Sequence, residues 1–109
     1  MYLKVKDMDL SDYRAQIDKI DEELVRLISE RMDVTAGVAA YKQEHGLPVL
    51  DAKREREKLL RIAEMSPEDY RRYTVSLFDL LMELSRSNQT RLLGRAGSLP
   101  GASLPVLRR

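Results

Sequence analysis

From Tyr13 to Tyr41 the apolar residues return at steps of three, four or seven: Tyr13, Ile17, Ile20, Leu24, Leu27, Val34, Val38 and Tyr41. That spacing gathers them on one side of an α-helix, which turns once every ~3.6 residues. Ser11, or Asp9 just before it, can accept from the free amides that begin the helix. Gly46 suits the left-handed position that closes a helix, and Pro48 follows it. The predicted first helix covers about 34 residues and reaches about 50 Å at ~1.5 Å per residue.

A short loop, 46–50, leads to Asp51, a good cap, with Glu55 and Glu57 close behind where the helix dipole favours negative charge. A second helix is predicted from there to about Met65, carrying Leu59, Leu60 and Ile62. Ser66-Pro67-Glu68-Asp69 reads as a third start: a capping Ser, Pro at the first helical position, then acids. The third helix then runs to about Leu93, with Tyr70, Tyr73, Leu77, Phe78, Leu81, Leu84 and Leu92, and Gly94 ends it. Over 94–109, Gly, Ser and Pro punctuate the chain and no helical period survives, which reads as a flexible tail or a linker. The expectation is an all-α helical domain over 1–93 and a tail over 94–109, with no strand-rich stretch and no internal repeat.

A chain of about 100 residues folded alone has a radius of gyration of about 13 Å. A helix of about 50 Å does not fit inside such a body, and two shorter helices cannot cover its whole stripe. A second chain is the natural cover. The predicted architecture is therefore a three-helix protomer with one very long first helix, paired into an intertwined helical homodimer.

Composition narrows the chemistry. Lys and Arg total 19 against 18 Asp and Glu, a net charge of +1, which argues against a general nucleic-acid or membrane binder. With no Cys, disulfides, thiolate catalysis and zinc thiolate sites are excluded. The single His, His45, is too little for a histidine metal cluster and reads as a helix-terminal residue that favours the dipole. No metal and no cofactor are expected. The opening residues MYLKVKDMDL lack a long apolar run, so neither a signal peptide nor a membrane span is expected, and the default location is the cytoplasm. Phosphate-loop, H-E-x-x-H and G-x-S-x-G motifs are all absent from the sequence.

The informative residues are charges standing where the pattern asks for an apolar side chain. Arg31 lies on the stripe between Leu27 and Val34. Lys42 follows it by 11 residues, so on a helix the two point within ~20° of each other, ~16 Å apart along the axis. Their long side chains can converge on one small anion. Arg14 lies on the same broad side. One reading makes Arg14 and Lys42 boundary residues whose stems cover apolar surface. The other makes all three an anion site, because a charge in a helix seam is costly unless paired or solvated. Arg14 and Lys42 stand 28 residues apart, or ~42 Å on one helix. If both serve one small ligand, Arg14 must come from a partner chain. The run Asp51 to Glu55 (D-A-K-R-E) reads first as a capped helix start. Ser85 and Gln89, four apart in line with Phe78 and Leu81, read as hydrogen-bonding residues on an inner face or as neutral donors beside a pocket.

Taken in order, Arg14, I-D-x-I-D-x-x-L (Ile17 to Leu24), Glu30-Arg31, Lys42, Pro48-Val49, D-x-x-R-E (Asp51 to Glu55) and S-x-x-x-Q (Ser85 to Gln89) resemble the all-helical (type II) chorismate mutases. The resemblance covers roughly 9–93. No single motif is specific, but seven in the family's order and spacing are. It implies an intertwined dimer with two equivalent sites that rearranges chorismate to prephenate, a step toward Phe and Tyr. It further implies that Arg14 of the partner subunit and Arg31 bind the two carboxylates of chorismate. By the same resemblance Lys42 would bind a carboxylate and the ether oxygen, and Gln89 would donate to that oxygen. Glu55, with the Asp51 backbone, would hold the ring hydroxyl. Ser85 would assist the ring carboxylate, and Arg54 would shape the site.

A pericyclic rearrangement needs no nucleophile, proton transfer, metal or cofactor, which agrees with the residue inventory. An enzyme of that family must hold a flexible dianion in its compact conformer and stabilise charge as the carbon–oxygen bond breaks. Arginine's planar fork suits the carboxylates. Two rivals remain. One is a lyase on the same scaffold that splits isochorismate into salicylate and pyruvate; Glu55 and Ser85 favour the mutase over it. The other is a non-catalytic helical dimerisation or regulatory module, perhaps fused to or associated with another enzyme of aromatic biosynthesis.

Overall fold

The computed structural model describes residues 8–96. These residues form three α-helices and one short 3-10 turn, without a strand: α1 Leu10–Glu44, α2 Ala52–Met65, the turn Glu68–Tyr70, and α3 Arg71–Ala96. The all-α class expected from the pattern is the class adopted. The chain divides into two units within α1, between Asp33 and Val34.

The first unit holds the start of α1. Asp9 is the cap: its Oδ1 accepts from the Asp12 amide at 3.0 Å, and its own amide donates to Asp12 Oδ2 at 3.0 Å. This is a reciprocal capping arrangement. Ser11, the other candidate, supports it by donating its hydroxyl to Asp9 Oδ1 at 2.9 Å. The Asp12 amide, and then the Ser11 hydroxyl, hold the Asp9 carboxyl below its ordinary value. Ile17, Ile20, Leu24 and Leu27 all lie at 45% to 58% exposure. The polar side is laced by Arg26, which donates through Nε to Glu23 at 3.0 Å and reaches Glu30 at 3.4 Å.

The second unit contains the rest of α1 with α2 and α3. Gly46 adopts φ +67°, the left-handed conformation that a side chain disfavours. This lets the Leu47 amide reach the Lys42 carbonyl at 2.8 Å and the Gly46 amide reach Gln43 at 3.3 Å, the double closure of a Schellman end. His45 stacks on Tyr41 at 4.0 Å between ring centroids, and its Nδ1 lies 2.9 Å from the Tyr41 carbonyl. A carbonyl only accepts, so that ring nitrogen carries the proton. Asp51 caps α2 through the Arg54 amide, at 3.0 Å.

The α2–α3 corner departs from expectation. Ser66 does not cap the third helix. Its hydroxyl is buried, donates back to the Ile62 carbonyl at 2.6 Å and lies 2.6 Å from the Thr74 hydroxyl. Pro67 (ψ 143°) then opens the 3-10 turn without a side-chain cap. The hydroxyl is spent on the last carbonyls of α2, and the Arg71 guanidinium joins it there, donating to the carbonyls of Ala63 at 2.8 Å and Ser66 at 3.4 Å. At the other end, α3 passes through Gly94 to Ala96. Glycine weakens a helix interior by roughly 1 kcal/mol against Ala but does not by itself stop it. Residues 97–109 of the expected tail, and residues 1–7, lie outside the described residues.

Ile62 of α2 and Leu81 and Met82 of α3 are buried where these helices pack. α1 contributes Ala39, 1% exposed, and half-buries Thr35, Ala36 and Lys42. Its larger apolar residues face elsewhere: Val34 is 61% and Tyr41 56% exposed. Within this unit, helix α1 therefore turns its small and polar side inward and leaves the predicted stripe uncovered.

Candidate active site

The candidate residues of the second unit are joined in a closed circuit. Lys42, near the end of α1, sends its ammonium to the Val49 carbonyl at 2.8 Å. Val49 stands two residues before the Asp51 cap, and the Glu55 amide in the first turn of α2 donates to the Asp51 carbonyl at 3.0 Å. The Glu55 carboxylate forms an ion pair with Arg86 on α3, both partly buried. One turn on, Gln89 donates through Nε2 to the Thr35 carbonyl at 2.8 Å. Thr35 returns the circuit to α1, two turns before Lys42 and on the same side. Three helices and one loop are thus tied by four polar side chains.

Each tie leaves capacity unused. An ammonium has three N–H donors and a primary amide two. With one donor on Val49, Lys42 keeps two, and Gln89 keeps one beyond Thr35. Gln89 is 5% exposed and Ser85, one turn before it, 6%, so both lie where water has little access. A fixed donor with a spare hydrogen and little surrounding water is suited to a developing negative charge.

The other candidates are placed as follows. Asp51 and Arg54 are exposed at the start of α2, where the Asp51 carboxylate serves as the cap. Arg14, exposed, and Arg31, half-buried, belong to the first unit. An apolar hollow at the α2–α3 corner, lined by Ile62, Met65, Ser66, Pro67, Thr74 and Phe78, holds none of the candidates. No group of three His, Cys, Asp or Glu among the described residues could hold a metal ion. No helix among them is long and apolar enough to cross a membrane.

Sequence reasoning missed Arg86 and the carbonyls of Thr35 and Val49. Arg86 had a readable sign, because it stands four residues after Met82 and three before Gln89, a charge where the pattern of α3 asks for an apolar side chain. The carbonyls had none, since every residue carries one.

Comparison with known proteins adds a family. The chorismate mutase type II model matches residues 13–90. A chorismate mutase of Methanocaldococcus jannaschii is 30% identical over 86 residues, which cover 77% of this chain and 87% of that protein. A bifunctional chorismate mutase/prephenate dehydratase of Aquifex aeolicus is 36% identical over 62 residues, 57% of this chain. Another, of Buchnera aphidicola, is 28% identical over 89 residues, 80% of this chain. The matches span only 17% and 23% of the length of these two bifunctional relatives. No solved structure matches the chain. With the family model spanning most of its residues, the chain belongs to the type II chorismate mutase family.

Proposed function

We propose that this protein is a chorismate mutase that rearranges chorismate to prephenate. The observation that carries the reading is the circuit in which Lys42 and Gln89 are each fixed by one carbonyl and keep donors to spare. In the reaction the ether carbon–oxygen bond breaks as a carbon–carbon bond forms within the same molecule. No atom enters or leaves. Lys42 and Gln89 aim their remaining hydrogens at the ether oxygen, where negative charge grows. Arg31 and Arg14 of the partner subunit grip the carboxylates, and Ser85 assists the ring carboxylate. Glu55 and the Asp51 backbone take the ring hydroxyl, and Arg54 shapes the wall.

The working form is an intertwined homodimer built on the long first helix. The exposed Ile17, Ile20, Leu24, Leu27, Val34 and Tyr41 support it, because a partner helix would remove that apolar surface from water. The bifunctional relatives support a fusion or association with a further enzyme of aromatic biosynthesis.

The test is the loss of chorismate absorbance on adding purified protein, with isochorismate assayed in parallel. Prephenate formation by the wild type, and its loss in Lys42→Ala by about 10²–10³-fold without unfolding, is the expected result. Salicylate and pyruvate from isochorismate with no prephenate would establish the lyase instead. Activity on neither substrate would leave a non-catalytic module.

A further inference from the structure

We propose that Arg86 is a positioning residue for substrate recognition, acting through Glu55. The inference rests on the mutase reading, in which Glu55 holds the ring hydroxyl. The motif set that identifies the family in this chain runs through Ser85 and Gln89 and leaves Arg86 between them unassigned. The Arg86 guanidinium pairs with Glu55 across 31 residues of sequence and from one helix to another, with their side chains only 32% and 25% exposed.

Two physical consequences follow. A glutamate side chain has three rotatable bonds, and a charge-assisted contact from a planar guanidinium fixes the carboxylate where a hydroxyl can reach its remaining lone pairs. The pair also eases a conflict of charge. A bare carboxylate beside a doubly negative guest repels it, and the Arg86 cation, paired through Glu55 Oε1, offsets that repulsion. Because a hydroxyl contact is present before and during the rearrangement, its loss weakens ground state and transition state alike and appears chiefly in KM.

The experiment is steady-state kinetics on chorismate with Arg86→Met, Arg86→Lys, Glu55→Gln and Glu55→Gln/Arg86→Met, alongside thermal melting. Methionine keeps an apolar stem and removes the charge. KM for Arg86→Met should rise by ~10-fold to 10²-fold, the scale set by a misplaced binding group, with kcat within a few-fold of wild type. Arg86→Lys should recover most of the loss. Adding Glu55→Gln should not deepen the defect, since both changes act on one contact. A merely structural Arg86 would lower the melting temperature and the active fraction, and so kcat, while leaving KM unmoved. That pattern, or independent multiplication of the two single effects, would overturn the proposal. A wild type inactive on chorismate would instead bring down the mutase reading itself.

Discussion

Replacing Gln89 with Leu separates catalysis from stability at one position. The side chain is 5% exposed and makes a 2.8 Å bond to the Thr35 carbonyl. Thr35 lies inside α1, where its carbonyl also accepts the helical bond from the Ala39 amide, so the substitution removes a second partner and leaves no orphan. One net hydrogen bond is worth roughly 0.5–1.5 kcal/mol. The buried leucine offsets part of that through added apolar contact. A melting temperature lower by no more than about 8 °C is expected, since 1 kcal/mol shifts a domain of this size by roughly 4–8 °C. The rate should respond far more strongly. A preorganised donor aimed at developing charge is worth about 3–4 kcal/mol, or 10²–10³ in kcat. The assay is kcat by chorismate absorbance beside a calorimetric melt on the same sample. A folded Gln89→Leu protein with kcat within a few-fold of wild type refutes the assigned donor.

Further outcomes follow from other residues. Arg14→Ala and Lys42→Ala proteins, each inactive, should regain about a quarter of wild-type activity when refolded together, because half the dimers are mixed and one of their two sites is intact; no recovery would place Arg14 and Lys42 in one chain's site. Leu27→Glu, which puts a charge on the exposed stripe of α1, should sediment as a monomer and lose turnover; an active dimer would show that this stripe is not the interface. Gly46→Ala meets no atom within 4 Å of its new Cβ, so its cost is the backbone's alone, about 1–2 kcal/mol at φ +67°; denaturant midpoints matching the wild type would refute that. Asp9, whose carboxyl is held below its ordinary 3.8, stabilises the start of α1 above that value and loses the effect as pH falls through its lowered one. Amide exchange in the first turn should therefore quicken in acid, and Asp9→Ala should abolish the pH dependence.

The elements were legible because their ends are written in short-range chemistry. Asp9, Gly46 and Asp51 each act on amides or carbonyls within a turn, so their identities foretell their geometry. The failures lie where a side chain had two local choices. Ser66 can face the free amides after it or the free carbonyls before it, and only the packed corner, with Thr74 and Arg71, decides for the carbonyls. Gly94 is a stop only if the chain beyond it turns away. The stripe of α1 was read from its period, and its members Ile17, Leu27, Val34 and Tyr41 are exposed. Nothing in the period, however, says that the chain's own core would take the neighbouring side, with Ala39, instead.

The candidate site was legible to the extent that its residues interrupt a pattern. Arg31 stands out because helix seams favour apolar groups, whereas Lys42 and Gln89 gained their proposed roles from the family resemblance; the same seam test applied to α3 would have drawn out Arg86. What aims these groups is less visible. Lys42 and Gln89 have four and three rotatable bonds to their polar ends, and each is held by a main-chain carbonyl, Val49 or Thr35. Those carbonyls are fixed by the loop after Gly46 and by the register of α1, not by which side chain Val49 or Thr35 carries. Substituting Thr35 or Val49 would leave both anchors standing, whereas a change in the length of the loop between α1 and α2 would move Val49 and turn the Lys42 ammonium with it. In the proposed site the residue types say which donors are available, and the backbone says where they point.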